Sequence, residues 1–115
     1  MNNSLVNVTR NAVLASKVRY CNRPWSRLRG LLATSKEDGE VCWLVPCKMI
    51  HTFGMRYPID VLFLNKKNEV IAAIQNLKPN RLSPFVRAAH SVVEFSSGFY
   101  SEHALGDRLA LEKAS

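Results

Sequence analysis

The stretch from His51 to Leu64 constrains the fold more than any other part of this sequence. Its first ten residues, HTFGMRYPID, bring together an imidazole, a hydroxyl, a thioether, a guanidinium and a carboxylate, and the apolar run VLFL follows at once. A short apolar run of this kind is typical of a strand in the core. The stretch therefore predicts a site at the mouth of a core strand.

The size and composition of the chain indicate one globular domain over residues 1–115. The sequence is 47% hydrophobic and 22% charged, as in ordinary folded proteins and unlike disordered ones. A chain of this length buries about two thirds of the surface that it exposes when unfolded. We therefore expect it to fold without a structural metal or a disulfide.

Several features predict a cytoplasmic monomer. No apolar run approaches the roughly 18 residues that cross a membrane, and the N-terminus lacks the pattern of a secretory signal. The three cysteines, an odd number, are a poor disulfide framework. Cys42 is expected to be a small buried residue, whereas Cys21 and Cys47 are expected to be more exposed.

The net charge of +7 is concentrated in the N-terminal third of the chain. Seven basic residues precede the first acidic one, Glu37, and the nine basic and nine acidic residues from there on cancel. A basic face can bind phosphates or nucleic acid. However, no helix-turn-helix, zinc-finger or single-strand-binding pattern accompanies it. We therefore expect a solvated basic face and no specific recognition of nucleic acid.

Alternating and continuous apolar patterns predict seven short strands. They cover residues 5–9, 13–20, 41–45, 59–64, 69–74, 91–95 and 108–111.

A helix is predicted over residues 24–32. Asn22 is suited to cap its N-terminus, and a proline falls in the first turn, where its missing N–H costs nothing. Trp25, Leu28 and Leu32 share one face of this helix. A shorter second helix is predicted over residues 98–104. Together with the strands, these helices favour an α+β fold that is rich in β-structure, with a mostly antiparallel sheet curling toward a barrel.

Four segments of the sequence resemble, in order, a known family. They are WSRLRGLL from Trp25, PC at Pro46 followed by IHTFGMRYPIDVLFL from Ile50, VVEF from Val92, and GDRL from Gly106. The long central motif makes the resemblance specific, and it covers nearly the whole chain from about residue 10. The sequence resembles the family catalogued as domain of unknown function 192. This resemblance implies a small β-rich domain whose members include secreted and cytoplasmic forms, and it implies no established activity.

Six residues are candidates for binding a ligand: Arg27, His51, Thr52, Met55, Asp60 and Glu94. Each also has a structural interpretation. His51 can be a base or ligand, or a histidine bonded to the backbone. Asp60 shares a strand face with Leu62, so it needs a cation or hydrogen-bond donors nearby, and a salt bridge to Arg27 or Arg56 would supply them.

Metal binding and catalysis are less favoured interpretations of the same region. Cys47, His51 and Met55 are ligand types for copper, but Pro46 and Gly54 oppose the helix that would align them. No nucleophile motif, phosphate-binding glycine loop or Cys-x-x-Cys pair is present. We expect no metal and no cofactor.

The favoured function is non-catalytic binding of a small anionic ligand in a pocket around the central segment. A hydrolase or lyase that pairs His51 with Asp60 or Glu94 is the first alternative. A structural or protein-interaction module is the second.

Overall fold

The structure, a computed structural model, describes residues 3–23, 41–96 and 105–113. Seven strands lie within these residues: β1 (Asn3–Asn7), β2 (Ala12–Cys21), β3 (Val41–Leu44), β4 (Ile59–Leu64), β5 (Val70–Leu77), β6 (Ser91–Ser96) and β7 (Leu109–Lys113). Each strand overlaps one predicted from the sequence, and β4 has the predicted bounds.

The predicted α+β class was wrong for the described residues, which form an all-β fold with no helix. The helices predicted over residues 24–32 and 98–104 lie outside the described residues. The physical reason is that the sheet curls and covers its own inner face, so a helical layer is not required there. Irregular segments around residues 50–57 and 86–89 pack on the outer face. The described part includes no helix that is long and apolar enough to span a membrane.

The strands form one mixed sheet in the order β5-β4-β6-β3-β2-β1-β7. All neighbours are antiparallel except β2 and β3, which are parallel. A parallel pair requires a long crossover, and the chain between these two strands is correspondingly long. The six residues of β4 are all buried, including Asp60.

Hydrogen bonds join the two edge strands of the sheet, β5 and β7. The Val70 N–H donates to the Asp107 carbonyl at 2.8 Å, and the Gly106 N–H donates to the Val70 carbonyl at 2.7 Å. Gly106 has a φ of 92°, which a residue with a Cβ rarely adopts. The first residue of β5 is therefore tied to the segment that leads into β7.

The Asp107 carboxylate, next to these hydrogen bonds, is bonded to side chains at the end of β1 and just after it. Asp107 Oδ2 accepts hydrogen bonds from Asn7 Nδ2 at 2.9 Å and from Arg10 Nε at 2.7 Å. The Asn7 hydrogen bond and the neighbouring Arg10 charge hold the pKa of Asp107 below its usual value.

Two hydrophobic clusters lie on opposite faces of the sheet. The inner cluster takes residues from all seven strands, including Leu62, Phe95 and Leu109. The outer cluster contains Val61 and Phe63 and is covered in part by Ile50, Tyr57 and Ala89, which belong to connecting segments. Alternation along β4 therefore supplies both clusters, and this strand is the centre of the core.

Candidate functional site

Two loops meet beside the first residue of β4, and we call them the Thr52 corner, defined as residues 51–56 and 78–82. The side chain of Thr52 is fully buried between the loops. Its hydroxyl donates to the Lys78 carbonyl at 2.6 Å and accepts the Arg81 N–H at 2.8 Å. Its backbone N–H donates to the Arg81 carbonyl at 2.9 Å. Thr52 thus locks two loops that are distant in sequence.

The first loop is also ordered by hydrogen bonds of its own. The Met55 N–H donates to the Thr52 carbonyl at 3.1 Å, and Gly54 adopts a φ of 83° between them. This positive φ is the reason that glycine suits the position. The side chain of Met55 is partly buried against the outer cluster. Met55 therefore anchors the loop to the sheet.

His51 lies at the surface of the corner and has a defined orientation. Its Nδ1 accepts the Phe53 N–H at 3.2 Å, and the two rings stack with centroids 5.5 Å apart. Because Nδ1 is an acceptor, the neutral imidazole carries its proton on Nε2. That nitrogen can donate a hydrogen bond to a ligand, and the half-exposed Phe53 ring beside it offers an apolar surface.

The exposed charges of the corner are positive. Arg56, Lys78 and Arg81 are exposed. The acidic residue nearest in sequence, Asp60, is buried within β4. The corner can therefore attract an anion, and the loop of residues 78–82 supplies cations that the sequence analysis did not assign to the site. Those residues carry no local signal, because long-range contacts with Thr52, Gly54 and His51 bring them to the site.

Asp60 and Glu94 lie on neighbouring strands but on opposite faces of the sheet. Asp60 is paired with Phe95, whereas Glu94 is paired with Val61. By alternation, Asp60 shares the inner face with Phe95, and Glu94 shares the outer face. Both carboxyl groups are buried. They therefore cannot act together on one substrate from the same side of the sheet.

Asp60 has a structural role at an irregularity between β4 and β5. The register of this pair shifts between Ile59 and Val61, and Asn76 on β5 adopts a φ of 57°. The Asn76 N–H donates to Asp60 Oδ1 at 2.8 Å. The carboxylate thus accepts a bond from backbone at a point where the strand register is interrupted.

Cys42 is a buried thiol that is poorly suited to act as a nucleophile. Hydrogen bonding to Cys21 and burial raise the pKa of the Cys42 thiol, although Arg19 donates to its sulfur at 3.0 Å. A thiol held protonated is a weak nucleophile. Cys21 is fully buried, so its predicted exposure was wrong, and Cys47 is partly exposed with its thiol donating to the Met49 carbonyl at 3.2 Å.

The remaining sequence candidates are distributed as follows. His51, Thr52 and Met55 come together in one loop, whereas Asp60 and Glu94 lie in the sheet. Arg27 falls outside the described residues. Among residues 3–23, 41–96 and 105–113, no group of three or more His, Cys, Asp and Glu side chains is arranged to hold a metal ion.

Comparison with known proteins places these features in context. A family model described as Uncharacterized ACR, the domain of unknown function 192, matches residues 6–111. A UPF0127 protein from Thermococcus sibiricus is 27% identical, over 94% of this chain and 74% of the relative.

Two solved structures share the fold. A protein of unknown function from Novosphingobium aromaticivorans is 15% identical with a TM-score of 0.71, covering 94% of this chain and 82% of that one. A putative transcription regulator from Sinorhizobium meliloti is 18% identical with a TM-score of 0.74, covering 95% of this chain and 91% of that one.

Proposed function

Because the chain belongs to the Uncharacterized ACR family, the domain of unknown function 192, we propose its function from geometry: it is a non-catalytic domain that binds a small anionic ligand at the Thr52 corner. The observation that carries the proposal is a rigid, positively charged surface. Three exposed cations and the Nε2 side of His51 surround loops that Thr52 holds in place. Fixed donors bind an anion at a lower entropic cost than mobile ones.

The proposed roles follow from the depth of each residue. His51 and Arg81 contact the ligand, while Thr52 and Met55 hold the loop that presents His51. Asp60 fixes the adjacent end of β5 through the Asn76 N–H.

Two further residues complete the proposed binding set. Glu94 is buried in β6, paired with Val61, and its part in binding stays a prediction. The approach of Arg27 to the corner stays a prediction.

An anion titration tests this proposal. Phosphate, sulfate and acetate are each added to the protein at low ionic strength, and backbone and imidazole resonances are followed by NMR. We expect saturable shifts at His51 and in the loop of residues 78–82. His51→Ala and Arg81→Ala should each weaken binding by about tenfold or more, because each removes a donor to a charged group.

Lys17→Ala is the matched control, since Lys17 is an exposed cation on β2, outside the corner. It should leave the affinity within about twofold, as expected for a distant charge screened by salt. Equal losses in all three variants would show that only net charge matters. The absence of saturable shifts with every anion would contradict the proposal and favour the structural or interaction module.

A further inference from the structure

A recess, which we call the Trp43 cleft, lies near the end of β4 that is opposite to the Thr52 corner. Its volume is about 250 Å³. The described residues that line it are Tyr20, Trp43, Val45, Lys66, Asn68, His90, Ser91 and Leu111.

The sheet topology brings these residues together. Tyr20 and Trp43 are paired near the ends of the parallel strands β2 and β3, and their rings lie 6.4 Å apart. Ser91 begins β6 and is paired with Leu64, the last residue of β4. Lys66 follows in the hairpin to β5. The cleft is therefore the place where several strand ends meet around the inner core.

Two buried polar groups of the cleft have no hydrogen-bond partner among the described residues. They are the indole Nε1 of Trp43 and the hydroxyl of Ser91. Both side chains are almost completely buried, at 3% and 1% exposure. Both atoms are enclosed by protein, and most buried polar groups are paired, so two unpaired ones on residues that line the same recess favour an acceptor that reaches them from the recess. Because an indole N–H can only donate, that partner must be an acceptor.

The charged groups of the cleft select the kind of acceptor. Lys66 provides an ammonium group, and His90 provides an imidazole beside the buried Ser91. No acidic side chain is among the described residues that line the recess. Apolar surface comes from the Tyr20 and Trp43 rings and from neighbouring aliphatic side chains. An acceptor with one negative charge and an apolar body fits this combination.

The backbone holds the charged residues in place. Asn65 Oδ1 accepts the N–H groups of Lys67 and Glu69 at 2.9 and 3.0 Å, which fixes the hairpin that carries Lys66. The His90 N–H donates to the Leu64 carbonyl at 2.7 Å. These bonds thus set the backbone positions of Lys66 and His90 at the edge of the cleft.

We propose that the Trp43 cleft binds a small amphipathic carboxylate, with the carboxylate accepting from Trp43 Nε1, Ser91 Oγ and Lys66. The volume is below that of pockets for drug-sized ligands, so the ligand is a compact molecule such as an aromatic or short aliphatic monocarboxylate. This site is separate from the Thr52 corner and does not depend on it.

NMR titration with benzoate, hexanoate and inorganic phosphate tests the inference. The chain has two tryptophans, and Trp43→Phe identifies the Trp43 indole N–H resonance by its loss. We expect benzoate or hexanoate to shift this resonance saturably, and phosphate to shift it much less because phosphate has no apolar body.

A matched pair of lysines separates a direct contact from general charge. Lys66 lines the cleft, whereas its neighbour Lys67 lines only an adjacent hollow. Lys66→Ala should weaken carboxylate binding by about tenfold, and Lys67→Ala by about twofold or less. His51→Ala should leave this binding unchanged, which distinguishes the cleft from the Thr52 corner.

Three outcomes would overturn the inference. One is the absence of a saturable indole shift with either carboxylate. Another is an equal loss in Lys66→Ala and Lys67→Ala, which would indicate diffuse attraction. The third is a crystal structure with the carboxylate that shows only ordered water bonded to Trp43 Nε1 and Ser91 Oγ.

Discussion

The buried polar groups near the two ends of β4 differ in whether they have hydrogen-bond partners among the described residues. At the Thr52 corner, the buried hydroxyl both donates and accepts within the protein. At the Trp43 cleft, the indole N–H and the Ser91 hydroxyl have no partner among the described residues. A polar group that the fold already satisfies stabilises the fold, whereas one left unsatisfied is available to a ligand. Burial alone therefore does not distinguish a structural residue from a binding one.

The largest expected effect is at Thr52, whose buried hydroxyl has hydrogen-bond partners. Thr52→Val keeps the shape of the side chain but leaves the Lys78 carbonyl and the Arg81 N–H without their partner. We expect a loss of about 1–3 kcal/mol in the free energy of unfolding, measured by urea denaturation.

Thr9→Val is the matched control for that experiment. The hydroxyl of Thr9 also accepts a backbone N–H, from Arg108 at 2.9 Å, but this bond is exposed. Water can replace it, so we expect a loss below about 0.5 kcal/mol. If the two variants lose equal stability, Thr52 does not lock the corner.

A smaller effect is expected at Asp107, which lies in the segment that joins the start of β5 and leads into β7. The pKa of Asp107 is lowered by Asn7 and Arg10 from an ordinary value of 3.8. Its contribution to stability is therefore complete above the unfolded value and is lost as the pH falls through the lower, folded value. Arg10 is 54% exposed, which limits the strength of the pair.

Asp107→Asn tests this contribution across pH. The variant should be less stable than the wild type at pH 7, and the difference should shrink below about pH 4, as the wild-type carboxylate becomes protonated. Urea midpoints at several pH values measure it. A difference that stays constant down to about pH 2 would show that the charge of Asp107 is not responsible.

The strands could be predicted from the sequence because their side-chain pattern is local. Four successive residues of β4, from Val61 to Leu64, are apolar, and β2 alternates, so both strands are recognisable without a structure. The contact between the start of β5 and the segment before β7 was harder to predict, since it depends on hydrogen bonds between Val70 and residues 106–107, which are far apart in sequence. The α+β class rested on helices predicted over residues 24–32 and 98–104, which lie outside the described residues, and the described residues contain strands and no helix.

The candidate site was only partly accessible for the same reason. The central segment is conspicuous because it combines many chemical types, and the loop it forms does contain His51, Thr52 and Met55 together. The partners from residues 78–82 and the cleft around Trp43 are defined by long-range pairing. A tryptophan and a serine within apolar strands look like ordinary core residues until their missing hydrogen bonds are seen.

The next smaller effect concerns His51, whose residue is partly exposed and whose ring accepts the Phe53 N–H of its own loop. His51→Ala should change the free energy of unfolding by less than about 0.5 kcal/mol while it weakens anion binding at the corner by about tenfold or more. Thermal melts measure the first quantity, and anion titrations the second. A destabilisation of several kcal/mol would show that His51 supports the fold, which would remove the basis for the proposed function.

The smallest expected effect, and the sharpest test of the comparison, is at Ser91. Removing a buried hydroxyl that has no partner relieves a desolvation cost, so Ser91→Ala should leave the free energy of unfolding within about 0.5 kcal/mol of the wild type, or raise it. Ser83 is the matched control, because it is also buried but accepts the Ile50 N–H at 2.9 Å and donates to the Pro84 carbonyl at 3.0 Å. Ser83→Ala should therefore lose about 1 kcal/mol or more in the same urea experiment. If Ser91→Ala loses as much as Ser83→Ala, the Ser91 hydroxyl is already satisfied in the free protein, and the two ends of β4 do not differ in the way that a ligand site at the cleft requires.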